Sequence, residues 1–170
     1  MKKIMLFMVM VIASNLTAQI TNPNWMVGGS GSFYSAHLKD NNNSISSIGL
    51  ELRPNIGYFL MDNFAVGLTP LFAYSKIRNG SSATNYGIGP YIRYYFLRPE
   101  KRVNVLSQIG FTYSGNDSSS LNFKAGPALF LNNSVALEMT LNYNLDKLNS
   151  TTNYNILSLG IGLQIHLEKY

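Results

Sequence analysis

Residues 49–75 read GLELRPNIGYFLMDNFAVGLTPLFAYS, and the alternation within them decides the fold. In the first arm Leu50, Leu52, Pro54, Ile56 and Tyr58 share one parity, against Gly49, Glu51, Arg53, Asn55 and Gly57 on the other. Successive strand side chains point to opposite faces, so this arm has one apolar face and one small or charged face. Residues 60–63 turn the chain, with Asp62 and Asn63 supplying the turn chemistry. The second arm repeats the pattern, with Phe64, Val66, Leu68, Pro70, Phe72 and Tyr74 set against Ala65, Gly67, Thr69, Leu71, Ala73 and Ser75. Each arm is long enough for a tilted strand to cross the hydrocarbon core of a bilayer, which takes roughly 9–11 residues. Large side chains on one face and Gly, Ala, Ser, Thr and Asn on the other suit a narrow barrel whose greasy face meets lipid.

Working outward, the same two-faced pattern recurs at 25–34, 85–96, 103–113, 121–131, 135–144 and 155–167, which makes eight strands with the hairpin. Residues 135–144 show it most clearly, with Val135, Leu137, Met139, Leu141 and Tyr143 outward and Ala136, Glu138, Thr140, Asn142 and Asn144 inward. Residues 25–34 are the weakest strand, because Gly29 and Gly31 sit on the outer parity, and Leu106 and Ser107 break the alternation of 103–113. The links at 60–63, 97–102 and 132–134 are short; those at 35–44, 76–84, 115–120 and 146–153 are longer and rich in Ser, Asn, Asp and Lys. Short periplasmic turns alternating with longer outer loops, and an even strand number, are the habit of bacterial outer-membrane barrels. Aromatics cluster at both ends of the strands, as the two interfacial girdles require: Trp25, Tyr58, Phe64 and Tyr94 at one, Phe72, Tyr86, Phe111 and Tyr113 at the other. Pro54, Pro70, Pro90 and Pro127 fall inside strands, where each removes a ladder donor, and bulges are expected beside them.

The chain has 170 residues, one domain's worth, with 12% charged and 46% hydrophobic. The only long apolar run is N-terminal. Lys2 and Lys3, an apolar stretch at 4–13 and a small, polar 14–18 form a signal peptide, with cleavage expected after Ala18. The domain plan is therefore a leader at 1–18 and a barrel at 19–170. A retained anchor is the alternative, disfavoured by the short apolar stretch. Without Lys2 and Lys3 the 13 basic residues fall to 11 against 8 acids, so the net charge drops from +5 to +3. Nucleic acid is not expected as a partner, since no basic stripe with interleaved aromatics is present. There is no cysteine, hence no disulfide and no lipidated N-terminal Cys.

These residues resemble the small eight-stranded outer-membrane β-barrel family, the OmpA-, OmpX- and OmpW-like proteins of the porin-like barrel-domain group. The resemblance spans residues 25–167, and RPNIGYFLMDNFAVGL and GIGPYIRYYF carry it. It implies an all-β, antiparallel, up-and-down transmembrane barrel after a cleaved signal peptide, in the outer membrane of a double-membraned bacterium with both termini periplasmic. It also implies contact with outer-membrane lipids and lipopolysaccharide, a possible extracellular ligand at the long loops, and a monomer. One departure is the end of the chain, where Tyr170 follows Glu168 and Lys169 on the inward parity, whereas such barrels commonly end on an outward aromatic.

The chemistry available to the lumen is ionic. Glu51, Arg53, Arg93, Lys124 and Glu138 all have inward parity, and buried charges must pair. The expected partners are Glu51 with Arg53 or Lys124, and Arg93 with Glu138. Such a network either plugs the lumen and holds the register or acts as a switchable gate in a narrow pore. No catalytic residue, metal ligand set or cofactor is assigned. A lipid A acyltransferase or deacylase would need a His with a Ser or carboxylate. Only His37, beside Asp40 and with Asp117 and Ser118 in another loop, offers one; His166 has no such neighbours in the sequence. The Gly-rich GGSGS at 28–32 lacks the Lys and helix of a phosphate loop. A soluble lipocalin-like barrel with the faces reversed is the remaining alternative.

Overall fold

In the computed structural model, residues 20–21, 23–40, 43–78, 80–114, 118–148 and 152–167 are described, with backbone alone at 34, 36–40, 43–45, 148 and 152–154. The signal peptide, Asp117 and Tyr170 lie outside the described residues. Eight strands follow one another: β1 (Trp25–Asp40), β2 (Asn43–Met61), β3 (Phe64–Ile77), β4 (Ser82–Tyr95), β5 (Val103–Ser114), β6 (Ser118–Phe130), β7 (Val135–Leu148) and β8 (Thr152–Leu167). Each pairs antiparallel with its sequence neighbour, and β1 pairs with β8 from Trp25↔Leu167 to Ser32↔Gly160. The sheet is a closed barrel. Closure removes every sheet edge in the paired region, which is what permits strands to cross lipid.

The wall follows the two-residue period. Leu50, Leu52, Ile56, Leu141, Leu159 and Ile161 are exposed on the outside, while Asn55, Thr69, Arg93, Thr112, Glu138 and Gln164 are buried within. Leu159 is 74% exposed, the reverse of a lipocalin-like barrel with its aliphatics turned inward. The girdles form as expected: Trp25 and Tyr58 meet edge-on at 5.2 Å at one end, Phe72 and Tyr86 at 5.4 Å at the other.

The turn of 49–75 narrows to Asp62–Asn63, where the register shifts between Phe59 and Met61 and Asn63 has φ 67°. A left-handed residue beside a bulge closes the tight turn between Met61 and Phe64, and Asn tolerates that backbone.

Three expectations need correction. The long polar links at 35–44, 76–84, 115–120 and 146–153 are largely strand. β1 and β2 stay paired out to Asp40↔Asn43, and β7 and β8 to Leu148↔Thr152. The outward apolar row ends there because most of these residues are polar, but backbone pairing needs no apolar face, so the strands continue as ribbons beyond the apolar band. His37 accordingly sits in β1 opposite Ser46, not in a loop.

The prolines, secondly, bring no bulge. Pairing lapses between Leu52↔Phe72 and Ile56↔Leu68, then resumes in the same register, which places Pro54 directly opposite Pro70. Two residues without donors thus share one interruption instead of spoiling two places. Pro90 and Pro127 each follow a glycine, and a Cβ on Gly89 or Gly126 would collide with the carbonyl oxygen of Phe111 or Met139. By register those carbonyls lie opposite the prolines, which have no N–H to offer them.

Leu106 and Ser107, finally, do not break β5. Leu106 faces inward and is fully buried, because the lumen is apolar at that level.

Candidate functional site

The lumen changes character along its length. At the end holding the Asp62–Asn63 turn, the start of β1 and the end of β8, it is shut. Chain ahead of β1 folds into the mouth: Asn63 N donates to Ile20 O and Phe59 N to Asn24 O, both at 2.9 Å. Ile20, Met26, Phe59, Tyr95, Leu106 and Phe130 make a buried cluster there. The His166 ring stacks on Phe130 at 5.4 Å and lies 5.7 Å from Phe59, so this histidine is part of an aromatic plug. Its Nε2 is 3.5 Å from the Tyr95 hydroxyl.

Above the plug, Arg93 organises the middle of the barrel. Its Nη1 donates to Glu138 Oε1 at 2.7 Å, Tyr95 OH at 3.1 Å and Gln164 Oε1 at 3.2 Å. Its Nε and Nη2 grip Gln108 Oε1 at 2.9 and 2.7 Å. Lys124 Nζ lies 3.7 Å from Glu138 Oε2 and donates to Ser30 Oγ at 3.3 Å. Burying these charges is tolerable only because every guanidinium nitrogen of Arg93 finds an oxygen. The neighbouring strand makes room for them, with Gly162 paired directly to Glu138. A Cβ on Gly162 would stand 3.4 Å from Glu138 Oε2 and 2.9 Å from Gly29 O, so only glycine fits beneath that carboxylate.

Toward the hairpin end, where β1–β2, β3–β4, β5–β6 and β7–β8 connect opposite the plug, a second network forms. Arg53 Nε donates to Glu51 Oε1 at 2.6 Å, and its Nη1 to Thr112 Oγ1 and Asn122 Oδ1, both at 3.1 Å. Asn122 continues the chain to Ser120 Oγ at 2.6 Å and Asn144 Oδ1 at 3.1 Å. Beyond it opens a vestibule of about 170 Å³, lined by Glu51, Arg53, Asn85, Ser114, Ser120 and Asp146 among others.

All five charged residues read from parity therefore lie inside the barrel. Glu51 pairs with Arg53 and Arg93 with Glu138, as expected, while Lys124 joins Glu138 and not Glu51. Parity was enough to find the charges, but which strands face one another across the lumen depends on stagger, which no single strand encodes. The neutral members were missed. Gln108, Gln164 and Tyr95 have inward parity too, yet nothing in the sequence marks them as arginine ligands. Asp146, expected in a loop, lies in β7. Among the described residues no group of three or more His, Cys, Asp or Glu could hold a metal ion.

No family model matches the sequence, and no curated protein matches it. Solved structures do. The crystal structure of Neisserial surface protein A (NspA) matches with a TM-score of 0.62 at 14% identity, over 84% of this chain and 96% of that one. A de novo designed transmembrane β-barrel matches with a TM-score of 0.49 at 13% identity, over 85% and 96%. The likeness to NspA is one of fold: the chain is an eight-stranded β-barrel of the outer-membrane type.

Proposed function

We propose that the protein stands in the outer membrane of a double-membraned bacterium as a closed, non-enzymatic barrel that carries its four hairpins into the surroundings. The plugged end and both termini face the periplasm, the outer wall contacts lipids and lipopolysaccharide, and the barrel works as a monomer. The observation carrying this reading is the double closure of the lumen. A buried Arg93–Glu138 pair fills its middle, and an aromatic plug fills its periplasmic mouth. Charged side chains fixed by several hydrogen bonds hold register and exclude solute. The part left to meet a partner is the set of paired ribbons beyond the apolar band, such as β1–β2 out to Asp40↔Asn43. Adhesion or another surface interaction follows from that display.

The test has two parts. Membrane fractionation with heat-dependent gel migration should put the protein in the outer membrane, and an epitope inserted at residues 41–42 should be labelled on intact cells. Shortening the β1–β2 ribbon by removing residues 37–46, which ends on paired positions, should leave the barrel folded and reduce cell attachment. Recovery in the soluble periplasm, or attachment unchanged by the shortening of every hairpin in turn, would overturn the reading.

A further inference from the structure

The two arginines impose a direction on the hydrogen bonds of the lumen. A guanidinium only donates. Gln108 must therefore turn Oε1 to Arg93, and Gln164 must do the same, at 2.7 and 3.2 Å respectively. With its oxygen so placed, Gln164 presents Nε2 to Asn55 Oδ1 at 3.0 Å. Arg53 likewise turns Asn122 Oδ1 toward itself, and Thr112 Oγ1 donates to the same oxygen at 2.6 Å. Amide oxygens are thus consumed, and the amide nitrogens of Gln108 and Asn55 are left without a partner among the described residues.

Both amides line one cavity of about 30 Å³, together with Arg53, Thr69, Tyr91 and Lys124. Thr69 and Tyr91 are only 7% and 3% exposed, and neither hydroxyl has a hydrogen-bond partner. The Lys124 ammonium brings three protons but meets Ser30 Oγ at 3.3 Å and a carboxylate oxygen no nearer than 3.7 Å. The one carboxylate lining the cavity, Glu51, is turned to Arg53 at 2.6 Å. The charge left over beside this space is positive: Arg53 offsets Glu51, while Arg93 and Lys124 share the single carboxylate of Glu138.

We propose that this cavity binds a single monovalent anion of halide size, held by Lys124, the Tyr91 and Thr69 hydroxyls and the Gln108 and Asn55 amides. The volume accommodates one or two water-sized spheres and no organic solute. Glu51 and Arg53 also line the outer vestibule, so the ion enters from the hairpin end past that pair.

Crystals of the folded barrel soaked in sodium bromide test this directly. An anomalous peak is expected within hydrogen-bonding reach of Lys124 Nζ and Tyr91 OH. In lipid vesicles, the unfolding midpoint should rise saturably with chloride at constant ionic strength made up with gluconate, which is too large for the cavity. Lys124→Met should abolish that rise. Should Lys124→Met fail to fold, Tyr91→Phe, which removes one unpartnered hydroxyl and keeps the ring, should weaken it. A lumen without bromide, or a wild-type midpoint indifferent to chloride against gluconate, overturns the proposal, as does a chloride response left intact by both variants.

Discussion

Arg93 on β4 donates from Nη1 to Glu138 Oε1 on β7 at 2.7 Å, straight across the lumen, with both side chains essentially inaccessible to solvent. The two strands are not neighbours in the wall, so this pair is a strut between opposite sides of the barrel. Lys124 shares the same carboxylate from β6. Removing Glu138 would strand two cations in a low-dielectric space, which typically costs about 3–5 kcal/mol. Glu138→Ala is therefore expected to lower stability by about that much in urea unfolding from lipid vesicles. The triple change Arg93→Met, Lys124→Met, Glu138→Leu should recover most of it, because it leaves no uncompensated charge.

The outer wall supplies a second expectation. Leu159 and Ile161 on β8 are among the most exposed aliphatics in the barrel. If they face lipid, Leu159→Arg should cost about 2–4 kcal/mol near the middle of the bilayer, measured by unfolding from vesicles. In a water-facing wall the same change would be close to neutral, so a cost below about 0.5 kcal/mol would place this face in solvent.

Glycine positions separate by what their missing Cβ would meet. At Gly89 and Gly126 it would strike a backbone carbonyl across the strand pair, whereas at Gly31 the nearest atom is Leu52 Cδ2 at 3.4 Å. Gly126→Ala is expected to cost about 1–3 kcal/mol or more through forced backbone shift. Gly31→Ala should be tolerated, and heat-dependent gel migration of the two variants reads the difference.

The facing prolines allow a gain. With Pro54 opposite Pro70, Pro54→Val and Pro70→Val together restore two donors to one interruption in the β2–β3 ladder. Each restored hydrogen bond contributes roughly 0.5–1.5 kcal/mol. The double variant should be more stable than wild type, with slower amide exchange at both positions than at exposed neighbours.

Much of this fold was legible wherever one face of a strand meets lipid and the other a crowded lumen. In Val135 to Asn144 hydrophobicity alternates without fault, and the structure follows it. Beyond the apolar band that signal ends. Ser44 to Ser47 carries no alternation of polarity, yet it is paired with β1 because the backbone alone supplies the bonds. Leu106 looked like a fault in β5, because an inward leucine makes sense only if the lumen has an apolar plug at that level. The plug itself is assembled from Phe59, Tyr95, Phe130 and His166 on four separate strands. In the candidate site, the charged members were recoverable from parity and the neutral ones were not. Gln108 becomes an arginine ligand only through the stagger that brings Arg93 beside it at Arg93↔Gln108.

The closed lumen is the claim on which the proposed role depends, and single-channel recording in planar bilayers tests it most directly. Purified wild-type barrel should show no discrete conductance steps over the membrane in either salt or voltage polarity. Glu138→Ala should also remain silent, because the plug of Phe59, Tyr95, Phe130 and His166 still fills the mouth. Reproducible wild-type openings, altered by Glu138→Ala, would contradict a closed scaffold and establish the ion network as a gate.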